Sequence, residues 1–188
     1  MEGLEIPLPD FKAFRERYNP KNEGIPIRVL WIAESPPAGG GYFYFDETSR
    51  NHLFRETMKA LGWWPETETM SAGVDKVPYL KKFQKAGYFL VDLSDLPVNK
   101  MGRHEKEKVL GRNIPRLLNE LEELNPQRIL IVKATLFDLL FSRVRATKFG
   151  SRVLNMQPIP FPSHGGQKRY REEIRKLLSP VATPYAEA

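Results

Sequence analysis

The chain alternates between short, continuous apolar runs and longer stretches whose apolar positions recur at helical spacing. Ile27, Val29, Leu30, Trp31 and Ile32 make the first run, Tyr88 to Leu93 the second, Arg128 to Val132 the third and Arg152 to Asn155 a shorter fourth. Runs without polar alternation suit strands covered on both faces of a parallel sheet. Helical spacing covers Asp10 to Tyr18, Tyr79 to Ala86, Glu105 to Leu124, Leu136 to Phe141 and Lys168 to Leu178. A further helical stripe joins Leu53, Thr57, Ala60 and Leu61, with Thr48 or Ser49 placed to cap it and Gly62 to stop it. Pro115 is expected to break or kink its helix, because it lacks an N–H and its ring meets the carbonyl four residues back. Strands alternating with helices predict an α/β fold, a parallel sheet sandwiched by helices. A length of 188 residues suits one domain, with residues up to about Pro26 as an N-terminal arm and those beyond Pro180 as a flexible tail.

Chemistry concentrates where strands end. The first run stops on a carboxylate, Glu34, followed by Pro36, Pro37, the glycines 39 to 41 and the aromatics Tyr42, Phe43, Tyr44 and Phe45. Ligands of open parallel sheets sit beyond the strand C-termini. An acid there, with glycines for close backbone approach and aromatics for stacking, predicts a site for a flat ring. One of the four aromatics is expected to stack on it while the others pack in the core. A second polar loop, from Asp92 through Asp95 to Lys106, leaves the second strand, and Lys133 closes the third, placed to meet phosphate or to reach solvent. The loop from Met156 to Gln167 precedes the last helix, whose outer face carries Lys168, Arg169, Arg171, Arg175 and Lys176.

Composition removes several chemistries. With no cysteine there is no thiol nucleophile, disulfide frame or iron–sulfur cluster, and the histidines, His52, His104 and His164, match no metal-ligand spacing. No metal and no cofactor are expected. Lys and Arg number 29 against 23 acids, a net charge of +6 that favours a polyanionic partner through phosphate contacts. The first residues, MEGLEIPLPDF, show neither a basic nor an apolar targeting segment, and no apolar run reaches membrane-spanning length. A cytoplasmic, monomeric protein without a membrane partner is expected.

Two segments carry a family likeness. Ala33-Glu34-Ser35-Pro36-Pro37 resembles the first motif of the uracil-DNA glycosylase superfamily, and Ser163-His164-Gly165-Gly166 its histidine-centred second motif. The likeness in element order runs from Ile27 to Leu178. It implies a three-layer αβα sandwich around a four-stranded parallel sheet, with a base flipped out of DNA into a pocket at the strand ends. It also implies metal-independent hydrolysis of an N-glycosidic bond, as in base excision repair. Glu34 would then direct water, Phe43 or a neighbour such as Tyr44 would stack on the base, Asp92 would face its edge and His164 would donate to its carbonyl. Ser163, Gly165, Lys168, Arg169 and Arg171 would hold the DNA strand. Such bond breaking builds positive charge on the sugar and negative charge on the leaving base, so a carboxylate and a fixed donor stabilise both ends.

The departures from the family pattern bear on activity. Ala33 and Pro37 stand where glycine is usual, and Asp92 where active uracil enzymes often carry asparagine, whose amide both donates and accepts. An ionised Asp92 only accepts, so either the base differs, Asp92 is protonated, the correspondence is off by one residue, or base release is absent. Two alternatives therefore stand beside the glycosylase: a non-catalytic DNA-binding protein on the same fold, and a nucleotide- or nucleoside-handling enzyme using the glycines 39 to 41. The latter lacks both the phosphate-loop and the dinucleotide spacing.

Overall fold

The structure, a computed structural model, describes residues 8–39, 41–48 and 51–181. Three strands form one parallel sheet: β1 (Val29–Ala33), β2 (Tyr88–Asp92) and β3 (Arg128–Ile131), in the order β2-β1-β3. Val29 pairs with Tyr88 on one side and Arg128 on the other, and Ala33 at the end of β1 lies opposite Asp92. Every residue of β1 and β2 is buried, as the unbroken apolar runs require. Parallel neighbours need crossover connections. Helices supply them: α2 (His52–Ala60) and α3 (Val77–Lys85) lie between β1 and β2, and α4 (Arg103–Leu124) between β2 and β3. α5 (Ala134–Arg145) and α6 (Gln167–Leu178) follow, α6 packing on α2 and α5 beside β3.

The predicted fourth strand over Arg152 to Asn155 does not form among the described residues. Single parallel bridges, Ile129 with Val153 and Val132 with Ile159, stand in its place. Asn155 interrupts the ladder: its Oδ1 accepts from Ile131 N at 3.0 Å and its Nδ2 donates to Ile131 O at 3.1 Å. A side-chain amide thus satisfies the edge of β3 where a strand backbone would, and Pro158 and Pro160 cannot donate to a ladder. The sheet therefore has three strands, with an irregular segment along the β3 edge.

Two helix expectations are corrected. Pro115 does not break α4, which runs from Arg103 to Leu124. The ring sits on the exposed side, so the carbonyl that loses its partner belongs to Gly111 and water can reach it, while Leu110, Ile114, Leu117, Leu121 and Leu124 stay buried on the other face. The cap of α2 is Asn51, whose Oδ1 accepts from Phe54 N at 2.8 Å. Thr48 instead pins a neighbouring loop, accepting from Val74 N at 2.9 Å, and Ser49 lies outside the described residues.

The described part of the N-terminal arm is built into the core. α1 (Phe11–Glu16) buries Phe11 and Arg15. The Arg15 guanidinium reaches Glu120 of α4 at 2.6 Å, and the Phe11 ring meets Tyr42 edge-on at 5.0 Å. Among the described residues no helix is long and apolar enough to cross a membrane.

Candidate functional site

The ends of the three strands bring Asp92, Glu34 and Lys133 side by side, because β1 lies between β2 and β3. They line a cavity of about 240 Å³, walled by Pro36, Pro37, Tyr42, Phe43, Asn51 and Phe161. The loop after Glu34 is tied to the loop after β2, since Ala38 N donates to Asn99 Oδ1 at 2.9 Å and Ser94 N donates to Glu34 O at 3.0 Å. Asn51 closes the other side, its Nδ2 donating to Gly41 O at 2.7 Å.

Glu34 is 8% exposed and faces two ammonium groups. Lys106, in the first turn of α4, donates to Oε1 at 3.3 Å. Lys133 Nζ lies 2.7 Å from Oε2, in ion-pair contact without hydrogen-bond alignment. A buried carboxylate needs such compensation, since its desolvation is otherwise prohibitive. Asp92 is buried differently. Burial pushes its carboxyl up to about 7, against the opposing pull of Arg15 and of the Tyr42 hydroxyl, which lies 3.2 Å from Oδ2. Arg116 donates to the Asp92 and Leu93 carbonyls at 3.0 and 2.7 Å, lies 3.5 Å from Asp95 Oδ2, and its charge adds to the downward pull on the Asp92 carboxyl. The cavity therefore holds one carboxyl group flanked by two ammonium groups and one that is neutral for part of the time near pH 7.

The aromatic run divides as its packing dictates. Phe43 lines the cavity and packs its ring on Phe54 and Phe83 at 5.4 and 5.5 Å. Tyr44 is fully buried, and its hydroxyl accepts from Leu90 N at 2.8 Å and donates to Leu90 O at 3.1 Å. Its place is in the core, with no ring face left for a base. Beneath this run lies Lys76, fully buried, donating to Tyr42 O at 2.7 Å with its amine 4.5 Å from the Phe54 ring centroid. Burial pulls its amine down to about 7.

His164 is not brought to the cavity wall. It sits exposed at φ 48°, its Nδ1 3.1 Å from Ser163 Oγ, while His52 at the start of α2 does line the cavity. Gly165 takes φ 87°, a left-handed turn suited to glycine. On α6, Lys168 and Arg169 are exposed. Arg171 turns back to α2, ion-paired with Glu56 and with Glu66 at 2.9 Å, and Arg175 joins Glu66 at 2.9 Å. These two arginines fasten α6 to α2, leaving Lys168, paired among the described residues only with Glu172 of its own helix at 3.9 Å, and Arg169 as the exposed part of the predicted strand-holding face. Among the described residues no group of His, Asp and Glu is arranged to hold a metal ion.

Sequence reasoning missed Asn51, Asn99 and Phe161 as cavity residues and Lys106 as a partner of Glu34. Lys106 and Asn99 lie within the second polar loop, but nothing in their spacing points at Glu34. Phe161 stands among prolines in a loop with no period, though an exposed aromatic beside a strand-end loop is itself a usable signal. Phe161 is 36% exposed, so Phe161→Ala is expected to leave the melting temperature unchanged while weakening ligand binding by roughly 1–3 kcal/mol, the worth of one stacking face. Fluorescence anisotropy beside a thermal melt checks both halves. The chain matches no family model, and no curated protein matches it.

Proposed function

We propose that the protein is a DNA glycosylase-like enzyme that takes a flipped base into the strand-end cavity and hydrolyses its N-glycosidic bond. The observation that carries this reading is Glu34, a buried carboxylate held between Lys106 and Lys133 at the wall of a cavity with aromatic sides. A carboxylate so placed offsets positive charge growing on a sugar and orients a water for attack. Phe43 and Phe161 offer apolar ring surface to a planar ligand. Asp92 supplies the edge contact: in its neutral form the carboxyl donates to a base carbonyl, which answers the lack of an asparagine at this position. The reading thus favours bases that present a carbonyl, such as uracil or hypoxanthine. The finer sandwich architecture of the uracil-DNA glycosylase superfamily belongs to the same proposal, supported by the parallel sheet and by motif order.

The test is incubation with duplex and single-stranded oligonucleotides bearing uracil, hypoxanthine, xanthine or a thymine mismatch, followed by alkaline cleavage at abasic sites. Strand cleavage for a carbonyl base supports the reading. Binding without release of any base supports the non-catalytic DNA-binding alternative, which the position of His164 outside the cavity wall favours. Grip on the backbone is electrostatic in either case. Reversing charge at Lys168 and Arg169 together is expected to weaken binding to all sequences alike and to flatten its salt dependence by about two counterions. An unchanged salt slope in that double variant would place the DNA elsewhere. Arg171→Glu is a poorer probe, since it would break the α2–α6 ion pairs.

A further inference from the structure

Lys133 holds a backbone conformation that a side chain disfavours. Its φ is 85°, a strained conformation for a residue with a side chain that persists only where its surroundings impose it. Glycine would make the same turn without that penalty. The surroundings do impose it here, with Lys133 N donating to Ile159 O at 3.0 Å and Phe137 N donating to Lys133 O at 2.9 Å. The result is an amine at the cavity wall, 2.7 Å from Glu34 Oε2 and 6.0 Å from the centre of the Phe161 ring. Charge balance does not require it, because Lys106 already pairs with the same carboxylate.

We propose that the Lys133 amine captures the ring-opened aldehyde of an abasic deoxyribose as a Schiff base, giving the site a strand-cleaving lyase step after base release. The inference rests on the base-excision reading, which puts the sugar C1′ beside Glu34 and therefore within reach of an amine in contact with that carboxylate. Lysine amines in pockets with a second cation and an acid are suited to carbonyl capture. Lys133 passes a proton to Glu34, the freed lone pair adds to C1′, and an N–H proton passes to the carbonyl oxygen. Glu34 returns its proton to the carbinolamine hydroxyl, which leaves as water to give the protonated imine. Glu34 accepts a proton from C2′, leaving an enamine whose electron pair expels the 3′-phosphate. Water then adds to the imine, returning the amine and releasing the unsaturated sugar aldehyde. No oxidant or reductant is consumed, and Lys106 keeps Glu34 paired while Lys133 is covalently engaged.

The test uses the full chain with a duplex carrying a preformed abasic site, so that no base release is needed, and sodium borohydride to reduce the imine. The expected result is a covalent protein–DNA adduct that peptide mass mapping assigns to Lys133, with nicked DNA when borohydride is omitted. Both K133R and K133G are expected to lose adduct and nick. K133G, relieved of its backbone strain, should unfold at a higher denaturant concentration than the parent, which excludes misfolding as the cause. Binding of the abasic duplex without adduct, or an adduct mapped to another lysine, overturns the lyase step and leaves the base-excision reading standing. Failure to bind both abasic and base-containing duplexes overturns that reading and the lyase step together.

Discussion

Glu34→Gln is expected to slow base release by roughly 10²–10⁴-fold, about 3–5 kcal/mol of transition-state stabilisation, while fold and DNA affinity persist. The amide keeps the shape of the side chain but cannot oppose positive charge on the sugar. Its effect on the fold should be small, because the two lysines it leaves unpaired are partly exposed, at 23% and 29% of their side chains, and water can take over their solvation. Binding should not weaken either, since the change removes one negative charge from the site proposed to take a DNA nucleotide. Single-turnover excision at saturating enzyme, with binding measured on the same oligonucleotide, separates these effects. Excision at the parental rate in the Gln variant would remove Glu34 from the chemistry.

Stability is expected to pass through a minimum near neutral pH, with Asp92 shaping the acid side. The folded Asp92 carboxyl titrates at about 7 against an ordinary value of 3.8. Between these values the folded chain keeps a proton that the unfolded chain has released, so stability falls as pH rises through the window and levels off above it. A shift of this size corresponds to about 4 kcal/mol. Lys76 works in the opposite direction at higher pH. Its amine titrates at about 7 when folded against an ordinary 10.5, so from about 7 upward the unfolded chain binds the extra proton and stability rises with pH. Urea midpoints measured from pH 4 to pH 10 should trace this curve. Asp92→Asn should flatten its acid limb and raise stability at pH 8 by about 2–4 kcal/mol. An acid limb unchanged in the Asn variant would assign the titration to another group. Base release should also decline above pH 7 in the parent, as the Asp92 carboxyl loses the proton proposed to reach the base carbonyl.

Much of the architecture was legible from local pattern alone. Apart from Arg128 at the start of β3 and Asp92 at the end of β2, the three strand runs are apolar, and a parallel strand covered on both faces is the ordinary way to bury such a run. With the sheet type came the expectation of a strand-end site, and Glu34 and Asp92 were picked out by standing where those runs stop. The edge of the sheet was not legible, because Asn155 replaces a strand with its own amide through contacts to Ile131 that no period encodes. Nor was the fate of Pro115, which depends on which side of α4 faces water.

The chain by itself determined which elements form and where their polar ends lie, since burial period and turn chemistry are local properties. Which groups meet there is a matter of three-dimensional packing. Tyr42, Phe43 and Tyr44 are adjacent in sequence yet end as a hydroxyl beside Asp92, a cavity wall and a fully buried core ring. The pairing of Glu34 with Lys106 and Lys133 reaches across about half of the chain, the charges that oppose the effect of burial on Asp92 come from Arg15 of α1 and Arg116 of α4, and the turn of Arg171 toward Glu56 and Glu66 takes it off the face predicted to hold a strand. Charge, solvation and reach depend on neighbours distant in sequence, and only the folded chain assembles those.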